Sequence, residues 1–211
     1  MTFFCLLFLV FRSGFAHGSE IDRLIAAVNG VAITEGDLNL ARSLNAILSY
    51  GGSAAATSRN DEIEKLIDQE LMRQELKNFS MTEMEESKVE ARLQSLRDAF
   101  AAKGGLSALL QQTGLRESEL ISYVRLESSI LKFVDFRFRP FVSVSEADIR
   151  TYYEKRLIPQ LRESKIETPS LDQISAKIEM ILREEKINTV LDQWMKEIRR
   201  SSRIEYFNDA Q

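Results

Sequence analysis

Residues 170–206 read SLDQISAKIEMILREEKINTVLDQWMKEIRRSSRIEY, and this stretch decides the fold of the chain. Ser170 followed by Gln173 is a capping-box pattern that begins a helix. Apolar residues then recur at steps of three and four, which predicts one helix with a broad apolar face. They are Ile174, Ile178, Ile181, Leu182, Leu191, Trp194, Met195 and Ile198. No Gly or Pro interrupts the helix before Ser201, so it is predicted to run roughly 45 Å and to need a covering layer from earlier in the chain.

A short strand is predicted to follow this helix and to return to the N-terminal region. Residues 203–207 alternate and carry branched and aromatic side chains, as strands do. Residues 25–34 read IAAVNGVAIT, two short apolar runs around Asn29-Gly30. Asn-Gly supplies the positive φ angles of a type I′ turn, which predicts a small β-hairpin. The hairpin is the expected partner of the C-terminal strand.

The chain between hairpin and final helix is predicted to be helical, so the fold class is mainly α. Thr34 with Asp37, Asn60, Thr82 with Glu85, and Ser145 are the expected caps. The predicted helices cover residues 35–49, 60–78, 82–104, 106–112, 117–139 and 145–157. Pro140 is expected to stop the fifth helix, and residues 155–169, with Pro159 and Pro169, are expected to form a polar connector.

On a helical wheel with 100° per residue, two phenylalanines of the fifth predicted helix fall on different faces. Phe138 falls on the apolar side with Leu120, Val124 and Phe133. Phe136 falls on the polar side, among Arg125, Lys132 and Arg139. An apolar ring on a polar face indicates a binding role for Phe136.

The first eighteen residues predict a secretory leader. An apolar run up to Phe11 is too short to span a bilayer and is followed by small residues. Cleavage fits either Gly14-x-Ala16 or Ala16-x-Gly18. No Lys or Arg precedes the apolar run, so a misassigned start and an uncleaved anchor stay open. With cleavage after residue 18, residues 19–211 form one domain, since 211 residues at 44% hydrophobic content suffice for one core.

Composition disfavours several classes of function. The formal charge is −4, and losing Arg12 with the leader gives 27 basic against 32 acidic residues, or −5, which disfavours a nucleic-acid partner. Cys5 and His17 both lie in the leader, so the mature chain has neither the His and Cys ligands on which zinc sites mainly draw nor an imidazole base. No glycine-rich phosphate loop is present. We therefore predict no catalytic residue, no metal, no cofactor and no nucleotide. Catalysis by carboxylates alone stays open, since pairs such as Asp61 with Glu64 occur.

Four stretches, in their order, resemble SurA-type periplasmic chaperones. The hairpin at residues 25–34 with EGDL at 35–38 is similar to the start of these proteins, and EIEKLIDQEL at 62–71 to their second helix. VSEADIRTYYE at 144–154 is similar to the segment that leaves their N-terminal domain, and WMKEIRRSSRIEY at 194–206 to their closing helix and strand. The resemblance covers most of the mature chain and implies a module of helical part 19–154, connector 155–169 and closing part 170–207.

The chain departs from this family at the connector. Family members usually carry parvulin-type prolyl isomerase domains between the segment like residues 144–154 and the closing helix, whereas here only residues 155–169 lie between that segment and the helix predicted to begin at Ser170. We therefore expect no prolyl isomerase activity and no enzymatic function.

The resemblance implies an ATP-independent holdase of the periplasm that binds unfolded secreted or outer-membrane proteins. Contact with the membrane is expected only through an uncleaved leader. Client contact is expected at Phe136, Phe138, Phe141 and Tyr152. A structural or assembly subunit of the cell envelope that binds one dedicated partner is the alternative, and its apolar surface would be one flat patch rather than an open cradle.

Overall fold

The structure, a computed structural model, describes residues 22–48, 57–79 and 86–207. It is mainly helical with a small antiparallel sheet, which confirms the predicted fold class. The strands are β1 (Leu24–Val28), β2 (Val31–Thr34) and β3 (Ile204–Tyr206). The helices are α1 (Glu35–Leu48), α2 (Arg59–Asn78), α3 (Glu86–Phe100), α4 (Leu106–Thr113), α5 (Glu117–Phe138), α6 (Glu146–Tyr152), α7 (Ile158–Glu163) and α8 (Leu171–Ser201). The predicted leader and the predicted cap at Thr82 lie outside the described residues.

The sheet joins the two ends of the described chain in the order β2-β1-β3. Asn29 and Gly30 have φ angles of 51° and 85°, as the predicted hairpin turn requires. β3 pairs antiparallel with the other edge of β1, and the Asn29 N–H donates to the Arg203 carbonyl at 2.8 Å. The predicted return of the C-terminal strand to the hairpin is confirmed.

Three helices, α1, α6 and α8, begin at the side-chain caps that the sequence predicts. Ser170 begins α8 with its box partner Gln173, and Ser145 begins α6 in the same way. The predicted cap of α2 at Asn60 is wrong. Ser58 is the cap, because its hydroxyl accepts from the Asp61 N–H at 3.1 Å and the Asp61 carboxylate accepts from the Ser58 N–H at 3.2 Å.

Among the described residues, three buried clusters form the core, and α1, α2 and α5 each contribute to two of them. The first joins α1 to α3, α4 and the first half of α5, around Leu120 and Val124. The second joins the sheet to α1 and α2, around Leu38 and Ile67. The third joins the ends of α2 and α5 to α8, around Phe133. The C-terminal half of α8 covers the second and third clusters with Met195, which confirms that the final helix packs on earlier elements.

The segment predicted as a polar connector is largely helical. A π-helical turn, Tyr153–Leu157, continues α6, and α7 carries the chain on to Glu163. Pro159 is tolerated because it lies in the first turn of α7, where an N–H is not needed for the helix. Pro140 behaves as predicted, since α5 ends before it in a 3-10 turn, Arg139–Phe141. The N-terminal half of α8 is therefore paired with α6 and α7.

Candidate functional site

An apolar groove of about 400 Å³ lies between α6–α7 and the first half of α8, and we call it the Tyr152 groove. Glu167 and Lys177 are the two charged residues in its lining. The rest of the lining is Tyr152, Leu157, Leu161, Ile166, Pro169, Ile174, Ile178 and Ile181. A larger hollow of about 670 Å³ between α3, α5 and α8 is lined by many charged groups, including Lys88, Arg92 and Glu184. The Tyr152 groove is thus the hollow better suited to apolar side chains.

Local structure explains why this groove stays open. No residue of α6, the π-helical turn or α7 is buried, because these elements form a single layer on α8. The π-helical turn brings Leu157 to the groove, and such turns are frequent at functional sites. At the end of the layer the Tyr153 hydroxyl donates to the Pro169 carbonyl at 2.8 Å. This bond ties the loop before α8 back against α6.

Polar contacts hold α6 on α8 beside the groove. Lys186 of α8 donates to the Asp148 carboxylate at 2.8 Å and also to the Ser143 carbonyl at 2.8 Å. Arg156 donates to Glu185 at 2.9 Å, and its guanidinium lies 4.7 Å from the centre of the Tyr152 ring. These contacts fix the ring of Tyr152 from one side.

The same contacts shift two pKa values. The bond from Lys186, with further bonds from Ser145, lowers the pKa of Asp148 from 3.8 to about 2. The hydrogen bond to Glu185 raises the pKa of Arg156 above its ordinary value. Both groups therefore keep their charges at neutral pH, and the contacts that hold α6 in place persist there.

The structure separates the four predicted contact residues. Phe136 and Phe141 are exposed, at 68% and 86% of their surface, and stand on the outside of α5 and of the 3-10 turn after it. Tyr152 is half-buried and lines the groove. Phe138 is 5% exposed, so its expected place on a contact surface is wrong. Its ring packs against Phe133 and Trp194, with ring centres 6.3 and 5.6 Å apart.

Sequence reasoning missed most of the groove. Leu157, Leu161, Ile166 and Pro169 belong to the segment predicted as a polar connector. The spacing of Leu157 and Leu161, four residues apart on one helical face, was the available signal. Ile174, Ile178 and Ile181 were assigned correctly to the apolar face of α8, but the element facing them was not predicted.

Residues 22–48, 57–79 and 86–207 contain neither a candidate metal site nor a candidate membrane-spanning helix. No group of three or more His, Cys, Asp or Glu residues in these ranges could hold a metal ion. None of the described helices combines the length and the apolar character needed to cross a membrane. Comparison of the sequence with protein-family models and with curated proteins found no match.

Proposed function

We propose that this protein is an ATP-independent holdase that binds unfolded secreted or outer-membrane proteins in the periplasm, without prolyl isomerase activity. The observation that carries the proposal is the Tyr152 groove, a chiefly aliphatic hollow accessible at the surface. The exposed rings of Phe136 and Phe141 add apolar points outside it. The ordered resemblance of residues 25–38, 62–71, 144–154 and 194–206 to SurA-type chaperones supports the same function.

The groove suits weak and reversible capture of an extended chain. Burial of one aliphatic or aromatic side chain contributes about 1.5–3 kcal/mol. A contact of this size alone gives a dissociation constant above about 1 mM, so each contact dissociates rapidly. Several such contacts along one client lengthen the time that it stays bound, and its release still requires no nucleotide.

Binding of this kind slows aggregation by mass action. A holdase lowers the concentration of free unfolded chains, and the rate of their association falls with it. The groove accepts apolar side chains of many shapes because its lining is chiefly aliphatic and does not depend on a network of directed hydrogen bonds. The proposed clients are therefore many and are recognised by apolar content.

A matched pair of variants tests the role of the groove. Ile166 lines it and is 58% exposed, whereas Met180 is 62% exposed on α8 and is not among the lining residues. Ile166→Ser should require roughly fivefold to tenfold more protein for half-maximal suppression of aggregation of an unfolded outer-membrane β-barrel protein, because an apolar contact is removed. Met180→Ser should suppress as the unmodified protein does. Equal suppression by both variants would assign client binding to another surface.

A further inference from the structure

Arg137 lies where the ends of α2 and α5 meet, away from the Tyr152 groove. Its guanidinium carbon is 5.0 Å from the centre of the Phe79 ring and 6.0 Å from that of Phe138. Phe79 is 42% exposed, and its ring also packs on Phe133 at 5.3 Å. A half-buried cation therefore lies against an aromatic shelf at the surface.

The Nε–H of Arg137 is buried and has no hydrogen-bond acceptor among the described residues. Two other arginines, Arg59 and Arg125, also carry one buried nitrogen without an acceptor. Each of those two guanidinium groups forms a salt bridge, Arg59 with Glu35 at 2.6 Å and Arg125 with Glu86 at 3.2 Å. In the described part of the chain, Arg137 has no such partner. A buried donor without an acceptor is unfavourable. Because this Nε–H is enclosed by protein, an incoming acceptor would meet the terminal N–H groups of the guanidinium.

The carboxylates closest to Arg137 along the chain and at the end of α2 are engaged elsewhere. Asp135 accepts two hydrogen bonds from Arg139, at 2.9 and 2.7 Å. Glu75, in the last turn of α2, accepts from Asn78 at 3.1 Å. Neither carboxylate is hydrogen-bonded to Arg137 in the structure. Within the described residues, the guanidinium of Arg137 is therefore available to an acceptor from another molecule.

We propose that Arg137 binds a carboxylate of a client polypeptide, with Phe79 as the apolar shelf for the residue beside it. A guanidinium presents paired N–H groups that match the two oxygens of a carboxylate, and such charged hydrogen bonds are among the stronger ones in proteins. A polyphosphate is disfavoured, because the chain carries a formal charge of −4 and the site has one cation. The inference rests on the proposed function in that the carboxylate belongs to a client. The Arg137 site adds one ionic contact to client binding that otherwise depends on apolar contacts.

Three short fluorescent peptides of Ala, Leu and Val test this subsite. The first has blocked ends and one central Asp, the second has blocked ends and Asn in place of that Asp, and the third has the Asn with a free C-terminal carboxylate. The full chain should bind the Asp peptide about tenfold more tightly than the blocked Asn peptide, as measured by fluorescence anisotropy. Tighter binding of the third peptide as well would show that a terminal carboxylate is also accepted. The preference should weaken with added salt.

Variants of two arginines on α5 separate this subsite from general charge effects. Arg137→Gln should abolish the preference for a carboxylate, and Arg137→Lys should keep part of it, because Lys retains the charge without the paired N–H groups. Arg125→Gln, on the same helix with its charge already bound by Glu86, should leave the preference unchanged. Circular dichroism should show that each variant is folded. Equal binding of all three peptides to the unmodified chain, or a preference that survives in Arg137→Gln, would overturn the proposal.

Failure of this inference is distinguishable from failure of the proposed function. Suppression of aggregation together with equal binding of the three peptides would remove the ionic subsite and leave the holdase. A carboxylate preference that depends on Arg137, without suppression of aggregation, would keep the subsite and remove the holdase.

Discussion

At the scale of single residues, α5 holds two phenylalanines in contrasting environments. Phe133 is fully buried among Phe79, Phe138 and Trp194, whereas Phe136 is mostly exposed. Phe133→Ala should cost about 3–5 kcal/mol of stability, because it leaves a cavity in the aromatic cluster. Phe136→Ala should change stability by no more than about 0.5 kcal/mol. Urea unfolding measures both, and similar losses in the two variants would contradict the assigned environments.

Asp148 should make part of the stability depend on pH. Its pKa is about 2 in the folded protein against an ordinary value of 3.8, so its carboxylate stabilises the fold above about pH 4. That contribution is lost as the pH falls from about 4 to about 2, because the unfolded chain takes up the proton first. Asp148→Asn should lower the urea midpoint at neutral pH and reduce the fall of that midpoint between pH 4 and pH 2.

The control for this pH effect is Glu146→Gln, an exposed carboxylate in the same turn of α6. It should leave the fall in the urea midpoint nearly unchanged. An Asp148→Asn protein whose midpoint falls as steeply as that of the unmodified protein would show that Lys186 and Ser145 do not stabilise this carboxylate.

At the scale of elements, β3 holds the C-terminus on the hairpin. Asn29 donates its N–H to Arg203, and Ala27 pairs with Glu205. A chain ending after Ser202 should lose hydrogen-exchange protection at the amides of Ala27 and Asn29, because their partners are removed. The amide of Val28 should stay protected, because Val28 pairs with Val31 of β2.

A chain ending after Phe207 is the matched control for this truncation, since it keeps β3 whole. It should exchange like the full chain at all three amides. Unchanged protection of Ala27 and Asn29 in the shorter chain would mean that β3 does not stabilise the sheet.

Elements whose signals are local could be predicted from the sequence. Asn29-Gly30 allows the positive φ angles of its turn, and Ser170 with Gln173 satisfies the free N–H groups at the start of α8. These signals involve neighbours in the chain and do not depend on packing. The cap of α2 was misplaced because Asn60 and Ser58 are both suitable cap residues, and the Asp61 carboxylate decides in favour of Ser58.

The candidate site depends on packing and could be predicted only in part. Tyr152 was correctly placed on the helix that Ser145 begins, and the exposure of Phe136 followed from its angle on α5. Pro159 and the polar residues around it suggested a connector, because a single sequence does not show that a π-helical turn precedes the proline. Phe138 lies on the buried face of α5, as its position on the helical wheel predicts. That position predicts its burial correctly, whereas its closeness in sequence to Phe136 and Phe141 wrongly suggested a contact surface.

At the scale of the whole molecule, α8 connects two kinds of packing. Its C-terminal half lies on the second and third buried clusters, where Met195 contacts both. Among the described residues, its N-terminal half is covered by the single layer of α6 and α7, whose residues are all at least partly exposed. The C-terminal half of α8 is thus packed in the core, its N-terminal half is covered by one layer of helices, and the Tyr152 groove lies along this N-terminal half. If the proposed function holds, we expect this arrangement to let the groove change shape around a client while the core stays folded.

We propose that this chain binds unfolded polypeptides generally and keeps them from aggregating. The most direct measurement is light scattering of several unrelated unfolded proteins, an outer-membrane β-barrel protein among them, diluted into buffer with the purified protein and no ATP. We predict suppression of aggregation at near-stoichiometric amounts for each client. Absence of suppression for all of them would contradict the claim, and a stable complex with one client alone would favour a dedicated assembly partner instead.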